Sequence, residues 1–155
     1  GGNEAVAAAL ENVFDNGHYL HDNEPGHHYV YLYNYCGRVD KAQERIPEIL
    51  DTHYRNGADG LSGNDDCGQM SAWYLFSSLG FYPVTPVSGE YALGIPRFPS
   101  VRVELPHGKV LTVRAEELKE HRHLPVILFN GKKLDAPFIA IRDLMKGGVL
   151  EFKAE

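Results

Sequence analysis

The chain has 155 residues, a formal net charge of −6 with histidine neutral, and 43% hydrophobic residues. At this length it can build one good core or slightly more. Its scattered lysine and arginine residues form no basic run, which excludes a nucleic-acid surface of the usual kind, and no apolar stretch approaches a membrane span. The chain opens abruptly with Gly1 and Gly2 and without a signal-peptide pattern, so we expect a processed or excised piece.

Two cysteines, Cys36 and Cys67, are too few for a disulfide framework. Both lie beside polar motifs, so a bridge between them stays open, but buried free thiols are the expected state. The chain has no CxxC pair, and the sequence therefore predicts no thiolate zinc site.

Helical spacing governs the first part of the chain. Asn3 is a candidate N-cap for a helix over 4–14, whose apolar residues recur on one face. A polar loop follows, and then an aromatic-rich segment over 27–36 with apolar side chains at helical spacing. We expect this segment to be a second, largely buried helix.

A third helix is predicted over 41–54. Asp40 is its candidate N-cap, and Gln43 stands where a capping box requires it. Pro47 lies inside the predicted helix, where it removes one backbone hydrogen bond and is expected to kink the axis.

A fourth helix is predicted over 67–79, with Trp73 at core spacing. Gly80 followed by Phe81 is typical of a Schellman-type helix end. The prolines and glycines that come next indicate an irregular connector.

Near residue 100 the hydrophobic period changes to two. Alternating or apolar runs predict strands over 101–105, 110–113, 126–129 and 149–152, and Asn130-Gly131 is a strong signal for a type I′ hairpin. The chain is thus predicted to be α+β, with helices over residues 1–99 and an antiparallel β unit over residues 100–155, whose role is structural.

The most informative motif is the run GNDDCGQMSAW from Gly63 to Trp73. Asp65 and Asp66 stand where backbone N–H groups and the helix dipole stabilise carboxylates. Either both cap the helix, or one caps it while the other serves as a general base or cation ligand. The flanking glycines favour the second alternative, because they let backbone approach a ligand. Gln69 is a candidate ligand for a hydroxyl group or a cation.

A second motif, Asn23-Glu24-Pro25, lies about forty residues upstream. Pro25 forces Glu24 out of helical geometry and can open a helix. Amide and carboxylate oxygens projecting from a fixed loop suit Ca²⁺, although a plain capping loop is equally consistent. The nearby histidines, including His28, lack the spacing of a zinc site, and we expect them to make hydrogen bonds instead.

Together these motifs resemble glycoside hydrolase family 92, the calcium-dependent exo-acting α-mannosidases. The resemblance rests on Gly63 to Trp73 continued to Val84, on the segment from Asn23 to Tyr35, and on the runs LFNGK and GGVLEF near the end of the chain. It covers nearly the whole chain. It implies that this chain corresponds to the C-terminal helices of a catalytic (α/α)6 barrel followed by the closing β strands.

The resemblance also implies a reaction: hydrolysis of a terminal α-linked mannose of a mannoside or N-glycan, with inversion at the anomeric carbon. By matching positions, Asp66 is the general base, and Asp65 or Asn64 helps to orient the water. Asn23 and Glu24 are implied to contact Ca²⁺ or the sugar, and His28 is a weaker candidate for the same shell. An α-1,2 linkage is preferred, but the sequence does not decide the linkage.

The family's general acid lies on a segment upstream of anything in this chain. The chain alone is therefore expected to be inactive and to need the missing N-terminal part.

The sequence does not decide the cellular compartment of the protein, although the family implies a secreted, periplasmic or cell-surface parent. Asp22 departs from the glycine usual before the Asn-Glu-Pro motif, which puts leaving-group contacts in doubt. The alternatives are a sugar- or calcium-binding fragment without catalysis and a purely structural fragment.

Overall fold

A computed structural model describes residues 1–115 and 123–154. The helices are α1 Asn3–Asp15, α2 Tyr29–Tyr35, α3 Val39–Thr52, α4 Gln69–Leu79 and the short α5 Ile141–Leu144. The strands are β1 Phe81–Tyr82, β2 Glu90–Leu93, β3 Ser100–Glu104, β4 Val110–Arg114, β5 Val126–Phe129, β6 Lys132–Lys133, β7 Phe138–Ala140 and β8 Gly148–Lys153. The predicted mixture of helices and strands is confirmed, whereas the barrel arrangement stays a prediction.

Helix α2 lies at the centre of the helical part. It contacts α1, α3 and β2, and Val30, Tyr31 and Tyr33 are fully buried. Ile46 of α3 and Trp73 of α4 belong to the same core. The predicted core position of Trp73 is therefore correct. Packing on several sides stabilises the short, aromatic-rich α2 as a helix.

Two predicted helix caps are wrong. Asn3 is the first helical residue of α1, behind an N-cap at Gly2 that makes no side-chain capping bond. Asp40 lies inside α3, whose N-cap is Arg38, and its carboxylate accepts hydrogen bonds from the Arg38 guanidinium at 2.8–3.2 Å. A bidentate guanidinium is a stronger partner than a backbone N–H group.

Gln43 also departs from its predicted capping role, because it joins α3 to the β part of the molecule. Its Nε2 donates to the carbonyl oxygens of Gly94 at 3.0 Å and Leu124 at 3.1 Å. Its Oε1 accepts from the Leu124 N–H group at 2.8 Å. The side chain is fully buried, so these bonds satisfy polar groups that no water reaches.

The larger sheet has five strands in the order β3-β4-β8-β5-β6. Asn130 and Gly131 have φ of 52° and 77° and connect β5 to β6 as predicted, since Phe129 pairs with Lys132. The expected wholly antiparallel arrangement is wrong, because β4 and β8 are parallel, with Leu111 opposite Gly148. The long connection between these two strands leaves room for the crossover that a parallel pair requires.

A second sheet of three strands, β1-β2-β7, was not predicted. Its strands are two to four residues long. Strand β2 lies in the predicted irregular connector, and β1 lies between the predicted helix end at Gly80 and that connector. Because Tyr91 of β2 pairs with Ile139 of β7, residues from both sides of position 100 share this sheet. The division into residues 1–99 and 100–155 stays a prediction.

The cysteines are free in the described part of the chain, with Cys36 buried and Cys67 exposed. The expectation of free thiols is confirmed, but the expected burial of Cys67 is wrong because the residue lies in a surface loop. None of the helices in residues 1–115 and 123–154 has the length and apolar character needed to cross a membrane.

Candidate functional site

The two polar motifs meet at the amino end of α4. The Asn-Glu-Pro loop folds into a short 3-10 turn, Glu24–Gly26, and the loop from Gly63 runs directly against it. A side chain at Gly63 would collide with the backbone of Asp22, so only glycine permits this approach. The glycine that sequence reasoning assigned to ligand contact instead brings the two loops together.

Asp65 caps α4. Its Oδ1 accepts from the Ser71 N–H group at 2.9 Å and its Oδ2 from the Ser71 hydroxyl at 3.1 Å, and its carbonyl oxygen accepts from the Gln69 N–H group at 2.6 Å. Ser71 is in the first turn of α4, where N–H groups lack helical partners. The carboxylate therefore stabilises the helix, and its catalytic role stays a prediction.

Asp66 is free of this capping duty and is exposed to solvent. Its carboxyl group lies within hydrogen-bonding range of Glu24, whose negative charge raises the pKa of Asp66, with smaller contributions from that hydrogen bond, desolvation and Asp65. Two carboxylates in contact are stabilised by a shared proton or by a cation. The structure thus joins the two predicted acidic residues that stand 42 positions apart in the sequence.

The backbone that carries Asp66 is strained. Asp66, Cys67 and Gly68 have φ of 43°, 61° and 95°, three successive residues in the left-handed region. Only glycine adopts this conformation without cost. Such strain concentrates at functional sites, where the surrounding structure holds it in place.

Asn23 caps the 3-10 turn. Its Oδ1 accepts from the Glu24 N–H group at 3.2 Å, so part of its capacity to bind a metal is already used. Residues 1–115 and 123–154 contain no group of three or more histidine, cysteine, aspartate or glutamate side chains placed to hold a metal ion. Glu24 and Asp66 have the oxygen chemistry that Ca²⁺ prefers, but they supply only part of its six to eight ligands.

His21 is buried beneath the loop, with both ring nitrogens engaged. Nδ1 lies 2.8 Å from the Tyr19 hydroxyl and Nε2 lies 2.6 Å from that of Tyr54. Burial, followed by the charges of His27 and His53, lowers the pKa of His21 to about 3. A neutral imidazole with both nitrogens hydrogen-bonded serves as a core polar group and not as a zinc ligand.

Three predicted substrate-binding residues, Glu24, His28 and Gln69, line one pocket of about 250 Å³. Tyr82 completes its polar lining, and the apolar lining consists of Ala72, Phe76, Pro83, Val84 and Pro86. The fourth predicted residue, Asn64, is exposed in the preceding loop and does not line it.

The position of Tyr82 in the pocket was not predicted from the sequence, because a tyrosine two positions after a helix-ending glycine resembles a core residue. His27 was likewise missed as part of the site, although its neighbour His28 was singled out. A larger groove of about 720 Å³ lies around Tyr54, Tyr74 and Arg97 and contains none of the predicted site residues.

The model of the glycosyl hydrolase family 92 catalytic domain matches residues 1–155. Among solved structures, the chain is similar to a family GH92 α-mannosidase from Bacteroides thetaiotaomicron, with 40% identity and a TM-score of 0.90 over 98% of this chain and 22% of that one. It is also similar to a GH92 inverting mannosidase from Bacteroides thetaiotaomicron VPI-5482, with 33% identity and a TM-score of 0.88 over 98% of this chain and 24% of that one.

A curated relative from Arthroderma benhamiae, described as an uncharacterized secreted glycosidase, is 28% identical in an alignment of 155 positions that covers 97% of this chain and 20% of the relative. This chain therefore spans 20–24% of the length of these relatives.

Proposed function

Because this chain belongs to glycosyl hydrolase family 92, we propose that it is the C-terminal part of an inverting exo-α-mannosidase that removes terminal mannose from mannosides or N-glycans. The observation that carries the proposal is the contact between Asp66 and Glu24, since Glu24 also lines the pocket of about 250 Å³. The similarity to solved α-mannosidases supports the substrate class.

Asp66 is proposed as the general base. It is exposed, its carboxyl group is not used by the helix cap, and the negative charge of Glu24 raises its pKa. A base is most effective when its pKa approaches the working pH, and Glu24 moves the pKa of Asp66 in that direction as long as no cation neutralises the two acids. Asp65 holds the loop in place through its bonds to Ser71, and Asn64 is proposed to orient the attacking water.

Inversion requires a general acid on the opposite face of the sugar, roughly 6.5–9.5 Å from the base, with a water between them. We propose that this acid belongs to the part of the relatives that lies outside this chain. The chain alone would then hold at most half of the catalytic machinery and be inactive, and its necessary partner would be the N-terminal part of the same enzyme.

Ca²⁺ is proposed as the cofactor, with Asn23 and Glu24 as its ligands. When bound, the ion would attract sugar hydroxyl oxygens and favour a distorted ring. Glu24 supplies a carboxylate from a turn whose geometry Pro25 and the Asn23 cap hold fixed. The carboxylate of Glu24 also reaches Asp66, so a cation there would relieve the repulsion between the two acids.

An α-1,2 linkage is the proposed preference. A secreted, periplasmic or surface-bound parent is proposed as well, in keeping with the description of the Arthroderma benhamiae relative as secreted.

The second candidate function is binding without catalysis. It is favoured by the three predicted ligand residues that line the pocket, and it needs no general base.

The test is hydrolysis of an aryl α-mannoside and of α-1,2-mannobiose by the full-length protein, with and without EDTA. Asp66→Asn is expected to abolish mannose release, and EDTA is expected to suppress it reversibly. Asp59→Asn is the matched control, because Asp59 is exposed and its carboxylate pairs with the exposed Arg55. Full release by Asp66→Asn would overturn the base assignment, and activity that is indifferent to EDTA would overturn the calcium assignment.

A further inference from the structure

We propose that Gln69 and Tyr82 form an acceptor–donor pair that recognises a single sugar hydroxyl, and that the buried His27 is a positioning residue that sets the orientation of the Gln69 amide. This proposal rests on the proposed function for the identity of the sugar. Gln69 and Tyr82 both line the pocket of about 250 Å³, whereas His27 is 1% exposed and does not line it.

The protonated nitrogen of His27 is fixed by its surroundings. Nε2 lies 3.1 Å from the carbonyl oxygen of His21, and a carbonyl oxygen only accepts hydrogen bonds. Nε2 therefore carries the proton and donates it. Burial lowers the pKa of His27, so the ring is neutral near pH 7 and Nδ1 keeps a lone pair.

That lone pair orients Gln69. The amide nitrogen of Gln69 lies 3.3 Å from His27 Nδ1 and 2.9 Å from the Tyr82 hydroxyl oxygen. Both N–H groups are donated, one to each partner. A flipped amide would place its oxygen against the lone pair of Nδ1, and two acceptors repel each other. In residues 1–115 and 123–154, Gln69 Oε1 accepts no hydrogen bond, and Gln69 lines the pocket, so this oxygen is available to a ligand.

The Tyr82 hydroxyl supplies the complementary donor. It accepts from Gln69, so its own proton is uncommitted within the described ranges. A sugar hydroxyl is both a donor and an acceptor, so one such group can donate to Gln69 Oε1 and accept from Tyr82. The apolar wall of Phe76, Pro83 and Val84 faces the same pocket and suits the C–H surface of a pyranose ring.

His27 is itself held rigidly. Its carbonyl oxygen accepts from Trp73 Nε1 at 2.8 Å, and its ring donates to His21 at 3.1 Å. These bonds tie it to α4 and to the start of the Asn-Glu-Pro loop. Loss of the Nδ1 acceptor would leave the Gln69 amide free to rotate, and the pocket would then present a mixture of acceptor and donor at this position.

The experiment measures kcat and KM of the full-length protein on an aryl α-mannoside and on its 2-, 3-, 4- and 6-deoxy analogues. Removal of the recognised hydroxyl is expected to lower kcat/KM about tenfold or more in the wild type. Tyr82→Phe should abolish the discrimination against that one analogue and leave the discrimination against the others intact. Tyr74→Phe is the control, because Tyr74 lines the separate groove.

His27→Leu and His27→Asn separate positioning from simple structural support. Asparagine places an acceptor where Nδ1 stands, so His27→Asn should recover the discrimination that His27→Leu loses. An equal loss on every analogue in both variants would overturn the positioning role, and unchanged discrimination in Tyr82→Phe would overturn the pair.

If the wild type hydrolyses no mannoside, the proposed function fails, and calorimetric titration with methyl α-mannoside and its deoxy analogues tests the pair separately. Binding that depends on one hydroxyl and on Tyr82 would support it. Absence of such binding would overturn it.

Discussion

The carboxyl group of Asp66 lies against that of Glu24, although one belongs to the loop before α4 and the other to the 3-10 turn Glu24–Gly26. The contact depends on Gly63, where any side chain would collide with the backbone of Asp22, two residues before Glu24. It also depends on Asp65, whose bonds to Ser71 satisfy the end of the helix. Asp66 is therefore available for chemistry because its neighbour performs the capping.

Removal of the Glu24 charge is expected to lower the pKa of Asp66 in the calcium-free protein, where no cation offsets that charge. Glu24 raises the pKa of Asp66, so in Glu24→Gln the Asp66 carboxyl would ionise at lower pH. The measurement is an NMR titration of the Asp66 carboxyl in the EDTA-treated full-length protein, with the exposed Glu48→Gln on α3 as the control. An unchanged titration of Asp66 in Glu24→Gln would contradict the coupling.

Asp65→Ala is expected to destabilise the fold by about 1–2 kcal/mol, because it leaves the Ser71 N–H group in the first turn of α4 without its partner. Ser71→Ala removes only the hydroxyl bond to Asp65 and should cost less. Asp66→Ala should leave the free energy of unfolding nearly unchanged, since the exposed carboxylate caps nothing. Urea denaturation of the three variants checks this order. A larger loss for Asp66→Ala than for Asp65→Ala would show that the two roles are reversed.

The periodic parts of the fold were predictable from the sequence, and those set by competition between distant partners were not. The helical spacing predicted α1 to α4, and Gly80 ends α4 in the left-handed region as expected. The cap predicted at Asp40 was wrong because Arg38 offers that carboxylate a better partner. The parallel pairing of β4 with β8 was missed because alternation within a strand carries no information on the direction of its neighbour.

The candidate site, like the fold, was predictable from the sequence only in part. Asp65 and Asp66 are adjacent and chemically identical, so sequence spacing identifies the pair but not which member caps the helix. The choice follows from a backbone that turns left-handed at Asp66. His27 and Tyr82 were missed because their roles depend on hydrogen bonds to Gln69, and these bonds form only when segments distant in the sequence come together.

The left-handed backbone at Cys67 predicts a stabilising substitution. Its φ of 61° is costly for a residue with a side chain, and the residue is exposed. Cys67→Gly should stabilise the fold by about 0.5–1 kcal/mol after the entropy that glycine loses on folding. Cys67→Ala removes the thiol but keeps the strain, so it is the matched control. Equal unfolding free energies for the glycine and alanine variants would show that the strain is absent.

The buried imidazole of His21 predicts that the fold weakens in mild acid. Its folded-state pKa of about 3 lies below the value of 6.5 that is usual for histidine. The unfolded chain therefore binds the proton first, and stability is lost as pH falls from 6.5 towards 3. At pH 4.5 this residue alone should remove roughly 2–3 kcal/mol of the stability present at pH 7.

His21→Phe should flatten this pH dependence even if it lowers stability at pH 7, because no proton can bind there. Burial lowers the pKa of His27 and His53 as well, so some dependence should remain. His18→Phe is the control, since His18 is exposed. Urea denaturation at pH 7, 5.5 and 4.5 gives the slopes. Equal slopes of unfolding free energy against pH in wild type and His21→Phe would mean that the folded protein binds a proton at His21 without losing stability. The hydrogen bonds to Tyr19 and Tyr54 would then have to accommodate an imidazolium.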